Sequence, residues 1–428
     1  MRRTALEVTL IEPAEAGRGV AYGTTCDAHL LNVRSGRMSL FADEPDDFVQ
    51  WLSGRSPDEA EPQGFARRLS YGAYVADRLG EAEAAALGRL QWVRDRAISF
   101  ERPDGFVRLP LSGGETVEAD AAVLAVGNLP PEPLTLPGAA TLGEQLIEDP
   151  WAAGALDRIG PDDSVLMIGT GLTAVDVALA LDVRGWRGGG LMLSRRGLLP
   201  RSHDATAPHV EPERPGGVDT LSGRLRAFRR RLDGRTWGEA MDALRPFVAD
   251  LWRAATPDER SRFLRHLRPW WDVHRHRTAP QVGAVMDRLR AEGRLALAAG
   301  RLMKAEADPE GARVWWRPRG DTALRDRRFN HVVVCTGPAF DLERTADPLL
   351  GALFRRGRVR ADPLRLSLDT DERCRVIDAA GRPSPRLYAM GPLTRGAFWE
   401  IVAMPDIREQ AQGLADDLGH RFGKEDGR

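Results

Sequence analysis

The chain has 428 residues, 42% of them apolar and 29% charged, with a formal net charge of −1. That length suggests about three folding units, and the near-zero charge gives no electrostatic reason to expect nucleic acid or an anionic membrane as partner. No stretch reaches the roughly 18 apolar residues of a membrane span, there is no signal-peptide core, and Cys26, Cys335 and Cys374 form no Cys-x-x-Cys pair. A cytoplasmic protein without a local redox disulfide is expected.

In chain order, Glu7 to Ile11 read as a strand with Glu12 at its end. An acid in that position binds the ribose of a dinucleotide and normally follows the first glycine of a G-x-G-x-x-G loop by roughly 20 residues. Only eleven residues precede it here, so a first strand, its glycine loop and most of a first helix are expected either to lie upstream of this sequence or to have been lost. Residues 90–128 then read as short strands with turns at Pro103-Asp104-Gly105 and Gly113-Gly114, leading into a buried strand that ends at Gly127. Residues 294–338 repeat the plan, with turns at Pro309-Glu310-Gly311 and Gly320-Asp321 and a strand His331 to Val334 that ends near Gly337. Continuous apolar runs of this kind suit the interior of a parallel sheet, and a glycine at the strand end lets backbone pass close to a ligand.

Between the two meanders, the apolar strand Ser164 to Ile168 runs into Gly169-Thr170-Gly171-Leu172-Thr173-Ala174 and a helical stretch from Val175 to Leu181. This strand, glycine loop and helix follow the dinucleotide fingerprint, with Ala174 in place of the third glycine. The helix N-terminus would hold the pyrophosphate. The next strand, Gly190 to Ser194, ends in Arg195-Arg196. Ser194 and the two arginines suit a 2′-phosphate, so NADPH is expected rather than NADH.

Residues from about 219 to 292 read as a helical insert. Leu221, Leu225, Phe228 and Leu232 share one face, as do Trp237, Met241, Leu244, Val248 and Leu251. Thr256-Pro257-Asp258-Glu259 is a capping box, and Gln281 to Glu292 stops at Gly293. Trp270, Trp271, His274, His276 and Arg277 form an aromatic and basic cluster that fits either packing or a substrate-pocket wall. His203 and His209, flanking Asp204, are weaker pocket candidates. No metal site is expected, because the histidines lack acidic or cysteine partners at suitable spacing. At the C-terminus, Leu387 to Pro392 reads as a strand ending in Gly391-Pro392, and Pro405 opens a helix with Ile407, Ala411, Leu414 and Leu418 as its apolar stripe.

Gly17 to Gly23, His29 to Val33, Gly36 to Ser39, Leu198 to Arg201, Phe263 to Arg277 and Met404 to Arg408 resemble the bacterial FAD/NAD(P)-binding flavoprotein family, which includes the FAD-dependent urate hydroxylase type. The resemblance implies an α/β fold of two Rossmann-like dinucleotide-binding domains. The FAD domain would occupy 1–150 and return at 339–428, around an NADPH domain at 151–338. It also implies FAD contacts at Arg18, Asn32 and Met38, beside Glu12, Gly127, Gly391 and Pro392, with Gly337 a cofactor-binding glycine of the NADPH domain. The helix starting near Pro405 would turn its positive end toward the flavin ring.

The expected function is therefore an NADPH-dependent FAD oxidoreductase that hydroxylates a small molecule with molecular oxygen. A flavin-dependent NADPH reductase is the alternative within the enzymes. A non-catalytic nucleotide-binding protein that has lost FAD is the alternative outside them.

Overall fold

The computed structural model describes residues 6–15, 17–204, 210–214, 220–230, 232 and 236–423. His209, one of the weaker pocket candidates, lies outside these residues.

The largest sheet has seven strands in the order β11-β10-β9-β8-β7-β12-β6. They are β6 (Leu146–Ile147), β7 (Val165–Ile168), β8 (Gly190–Ser194), β9 (Leu295–Asp308), β10 (Gly311–Pro318), β11 (Arg325–Phe329) and β12 (His331–Val334). The strands from β6 through β9 run parallel, and β9, β10 and β11 close the edge as an antiparallel meander. Both faces of the parallel part are buried, which explains its unbroken apolar runs. Along β7, Val165 and Met167 enter one core with Trp186, while Leu166 and Ile168 enter the opposite core with Leu193 and Val314. The two-residue period of a strand alone sorts these side chains.

Helix α4 (Leu172–Val183) follows β7 and is buried on nearly every side, from Ala174 to Leu181. The chain joins this unit before residue 150. Leu134, Leu136, Ala139 and Leu142 already pack in the second core, and β6 is hydrogen-bonded to β12.

The first half carries the repeated plan in a different pairing. Strand β1 (Val8–Ile11) pairs in parallel with β2 (Leu90–Val93), and β3 (Val107–Pro110) pairs with β4 (Thr116–Ala119) as a hairpin. Strand β5 (Ala122–Leu124) pairs in parallel with β14 (Pro383–Ala389), whose other neighbour is β13 (Arg375–Ile377). In the seven-stranded sheet β7 lies between β8 and β12. In the first half no strand joins β1 to β5 among the described residues. The turns of both meanders are built alike, with Gly105, Gly114, Gly311 and Gly320 all at positive φ.

Helices α1 (Gly19–Tyr22), α2 (Asp47–Arg55) and α3 (Arg68–Ala85) pack around an aromatic core of Phe48, Tyr71 and Tyr74. The insert contributes α5 (Leu221–Arg230), α6 (Trp237–Leu244), α7 (Val248–Ala254), α8 (Pro257–His266), α9 (Arg268–Arg275) and α10 (Pro280–Ala291). Thr256 and Glu259 form the expected capping box of α8, and Thr236 with Glu239 forms a second at α6. Helix α11 (Pro348–Arg355) covers the sheet of β5, and α12 (Met404–Phe422) closes the chain. No helix among the described residues is long and apolar enough to cross a membrane.

Candidate functional site

The glycine loop sits where the strand order reverses, with β8 on one side of β7 and β12 on the other. Ligands of doubly wound sheets bind in the crevice outside the strand ends at such a point. Gly169 has φ +130°, and a Cβ placed there would lie 2.1 Å from the Cys335 carbonyl oxygen. Only glycine fits that approach. Ala174 is fully buried against the sheet, whereas a Cβ on Gly171 would meet nothing within 4 Å. Gly171 caps α4, which has no side-chain cap, so its first N–H groups are left for an anion. Leu172 and Thr173 are half-buried in that first turn.

Thr170 is buried, and its hydroxyl donates to the Leu198 carbonyl at 2.6 Å and lies 2.9 Å from Ser194 Oγ. Ser194 Oγ also accepts the Gly197 N–H at 3.0 Å. The serine thus ties the β8 turn to the glycine loop, an internal role that its sequence position did not reveal. Arg195 is exposed and Arg196 half-buried, and neither has an ion-pair partner among the described residues. The one internal contact of the pair is a long one, from Arg196 to the Arg265 carbonyl at 3.5 Å.

Gly127 (φ +68°) and Gly391 (φ +63°) on the other unit, and Gly337 (φ +81°) after β12, each have open space where a Cβ would be. Buried Nε atoms of Arg18 and Arg408 have no hydrogen-bond partner. Helix α12 starts without a side-chain cap. Unfilled glycine cradles, orphaned guanidinium donors and a bare helix N-terminus fit a phosphate-bearing cofactor. Glu12 accepts the Ala14 N–H at its carboxylate, while its carbonyl accepts from Trp92.

Other expected contacts are placed differently. The Met38 side chain is 2% exposed inside the aromatic core and is not on a cleft. The Asn32 carbonyl accepts from His203 Nε2 at 3.0 Å. The Gly391 N–H donates to Gln410 at 2.7 Å, and Pro392 has no N–H, so this turn offers a cofactor shape rather than donors.

The insert encloses a cavity of about 320 Å³. Trp270, Trp271 and His274 line it, with Trp237 stacked on His274 at 4.3 Å. His276 and Arg277 do not line it. Arg277 is buried in an ion pair with Asp242, because α9 ends at Arg275 and the chain turns away. His276 lies 3.8 Å from both Asp272 and Glu400. Burial holds its pKa below the ordinary value, aided by Arg275 and opposed by Glu400, so it is neutral near pH 7.

Glu400 is the main residue that the sequence did not flag. It is 5% exposed and sits at φ +75°, an uncommon conformation for a residue with a Cβ. Trp271 Nε1 donates to its Oε1 at 2.6 Å, and Arg275 Nε lies 2.8 Å from its Oε2. Burial would raise its pKa, but Arg275, His276 and the Trp271 hydrogen bond outweigh that and keep it anionic. Its only sequence signal is a single acid in the apolar run Ala397 to Val402.

Asp176 is a second. It binds Arg68 through two hydrogen bonds of 2.9 Å, and its carbonyl accepts from His29 Nε2 at 2.9 Å. These contacts join α3 to α4 across the two units. Among the described residues no cluster of three or more His, Cys, Asp or Glu is arranged to hold a metal ion.

The geometry is that of known flavoproteins. The whole-chain fold is similar to an ornithine N-hydroxylase from Kutzneria sp. 744, determined with reduced FAD, NADP+ and L-ornithine (TM-score 0.65, 15% identity, 97% of this chain and 99% of that one). It is equally similar to the FAD-bound cadaverine monooxygenase of Erwinia amylovora (TM-score 0.65, 12% identity, 97% and 94% covered). In sequence, 96 residues are 34% identical to an L-aspartate N-monooxygenase (nitrosuccinate-forming) of Streptomyces cremeus, covering 19% of this chain and 14% of that protein. Residues 1–129 match the FAD-NAD(P)-binding family, and the chain as a whole carries the α/β fold of these two-nucleotide flavoproteins.

Proposed function

We propose that the chain is an NADPH-dependent FAD oxidoreductase that hydroxylates a small molecule in the manner of a monooxygenase. The observation that carries it is the open glycine loop at the switch point, with unpaired Arg195 and Arg196 at the end of the neighbouring strand. The relatives that act on ornithine, cadaverine and aspartate support the oxygenating reading.

The first turn of α4 and Gly171 hold the NADPH pyrophosphate, and Arg195 and Arg196 bind its 2′-phosphate. Glu12, Arg18, Gly127, Gly391 and the start of α12 frame the FAD, and Gly337 lies past the end of β12 in the nicotinamide unit. FAD supplies the redox and oxygen chemistry. Around it the chain positions the ring, and the bare N-terminus of α12 stabilises negative charge there. Indoles on the insert keep water from the neighbouring chamber. The nicotinamide unit takes residues from about 134 to 338, with the flavin unit on either side of it.

Disulfide reduction is disfavoured. Cys335 and Cys374 are buried, and burial pushes the Cys374 thiol up to about 11 and raises Cys335 as well.

The test is a spectrum and an oxygen electrode. Purified full-length protein should take up FAD, show flavin absorbance and consume oxygen with NADPH. Protein that binds NADPH but neither retains FAD nor takes up oxygen would remove the proposal.

A further inference from the structure

The aromatic cavity of the insert is made by three parts of the chain. Helices α5 to α9 supply most of it, the loop after β8 contributes Arg201, and the segment before α12 contributes Trp399. It therefore lies between the nicotinamide loop and the flavin-side return segment, the kind of junction where substrate sites form. Its volume of about 320 Å³ is that of a small-ligand pocket.

Flat indole and phenyl surfaces dominate the walls. Trp252 and Trp399 stack at 4.7 Å and 22°, and Phe263 meets both edge-on. Trp237 and Trp270 are 40% and 45% exposed at the rim, an unusual placement for two indoles unless something covers them. Trp399 is 4% exposed, and its Nε1 has no hydrogen-bond partner. A buried indole donor left unpaired is destabilising, so an acceptor on a ligand would satisfy it.

The charges around the cavity have one sign. Arg201, Arg224 and Arg229 line it; among the described residues Arg201 and Arg229 have no ion-pair partner and no Asp or Glu lines it. Glu400 lies behind Trp271, but one oxygen is bound by that indole and the other by Arg275. Among the described lining residues an alkylammonium group would find no carboxylate to pair it, whereas a carboxylate would meet two unpaired cations and an indole N–H.

We infer that the cavity takes a flat aromatic anion, an arene carboxylate, as the substrate class of the enzyme, rather than an aliphatic amine of the ornithine or cadaverine kind. The ring lies against the exposed indoles of Trp237 and Trp270, since Trp252 and Trp399 already stack on each other, and the carboxylate reaches the Arg201 and Arg229 side. This inference rests on the monooxygenase reading for the word substrate; the binding itself does not.

The experiment uses full-length protein with neither NADPH nor turnover. Naphthalene-2-carboxylate is titrated by calorimetry and by quenching of tryptophan fluorescence, beside 2-naphthylmethylamine, cadaverine and L-ornithine. The carboxylate should bind one to one, at least tenfold more tightly than the naphthyl amine, with no saturable binding of the two aliphatic amines. The double variant Arg201→Ala, Arg229→Ala should weaken the carboxylate about tenfold, and Leu251→Trp, which fills the cavity, should abolish its binding. NADPH titration shows that each variant is folded. Tighter binding of any amine, or carboxylate binding untouched by both variants, would overturn the inference. Failure of the oxidoreductase reading would appear separately, as absent flavin and absent NADPH oxidation alongside intact naphthoate binding.

Discussion

Asp176 is a carboxylate in the middle of a helix whose other residues from Ala174 to Leu181 are apolar and buried. Arg68 neutralises it through a bidentate pair, the geometry in which a guanidinium binds a carboxylate most firmly. Asp176→Ala leaves the guanidinium dry and unpaired, and should cost about 3–5 kcal/mol in urea unfolding. Replacing both partners, as Arg68→Met with Asp176→Leu, should return much of that loss. His203 makes a different prediction. Burial, with Arg277 and Arg34 nearby, pushes its pKa down to about 3. The unfolded chain binds a proton at this residue below pH 6.5 while the folded one does not, so stability falls as pH drops from 6.5 toward 3. Between pH 7.5 and 5 the wild type should lose up to about 2 kcal/mol more than His203→Gln, measured by denaturant midpoints at both values. At the nucleotide, Arg195→Ala with Arg196→Ala should weaken NADPH about tenfold or more and leave NADH unchanged, since each lost charge-assisted bond contributes about 1.5–3 kcal/mol. Equal loss for both cofactors would place the arginines elsewhere.

The glycine loop shows how much a single element discloses. Three properties are legible at once in Gly169 to Ala174: a tight turn, a bare helix N-terminus and a small residue against the sheet. Each is a steric demand that the residue type itself records. Gly169→Ala should consequently fail twice, because its methyl meets the Cys335 carbonyl at 2.1 Å and because φ +130° is strained for it. Thermal denaturation should show a lowered midpoint, and NADPH titration a weakened complex. The meander turns and the capping box of α8 were equally readable, since proline, glycine and Thr-x-x-Glu spacings act locally. What could not be read depends on partners far along the chain. Trp270 and His274 look the same in sequence whether they line a cavity or fill a core. Arg277 looks like a pocket cation, but Asp242 has already paired it. Glu400 gains its importance from Trp271 and Arg275, 129 and 125 positions away, and no periodicity announces such a meeting.

At the scale of the whole molecule, four polar pairings among the described residues cross between the segment 29–68 and the nucleotide unit, beside the packing of Leu30 and Phe65 on its core. They are Arg68 with Asp176, His29 with the Asp176 carbonyl, Arg34 with the Asp204 carbonyl, and His203 with the Asn32 carbonyl. They set a limit on motion. Any swivel of one nucleotide unit against the other has to pull the Arg68–Asp176 pair apart in a dry interface. Separated, both charges can hydrate, so the cost is that of the lost charge-assisted hydrogen bonds, about 1.5–3 kcal/mol each, and the docked arrangement is the major one. Small-angle scattering curves with and without NADPH should therefore superimpose. On the proposed function, an enzyme tied in this way would complete its hydride step and its oxygen step from one docking of the two units. Gating would then fall to small local movements, such as those of Trp237 and Trp270 at the cavity rim.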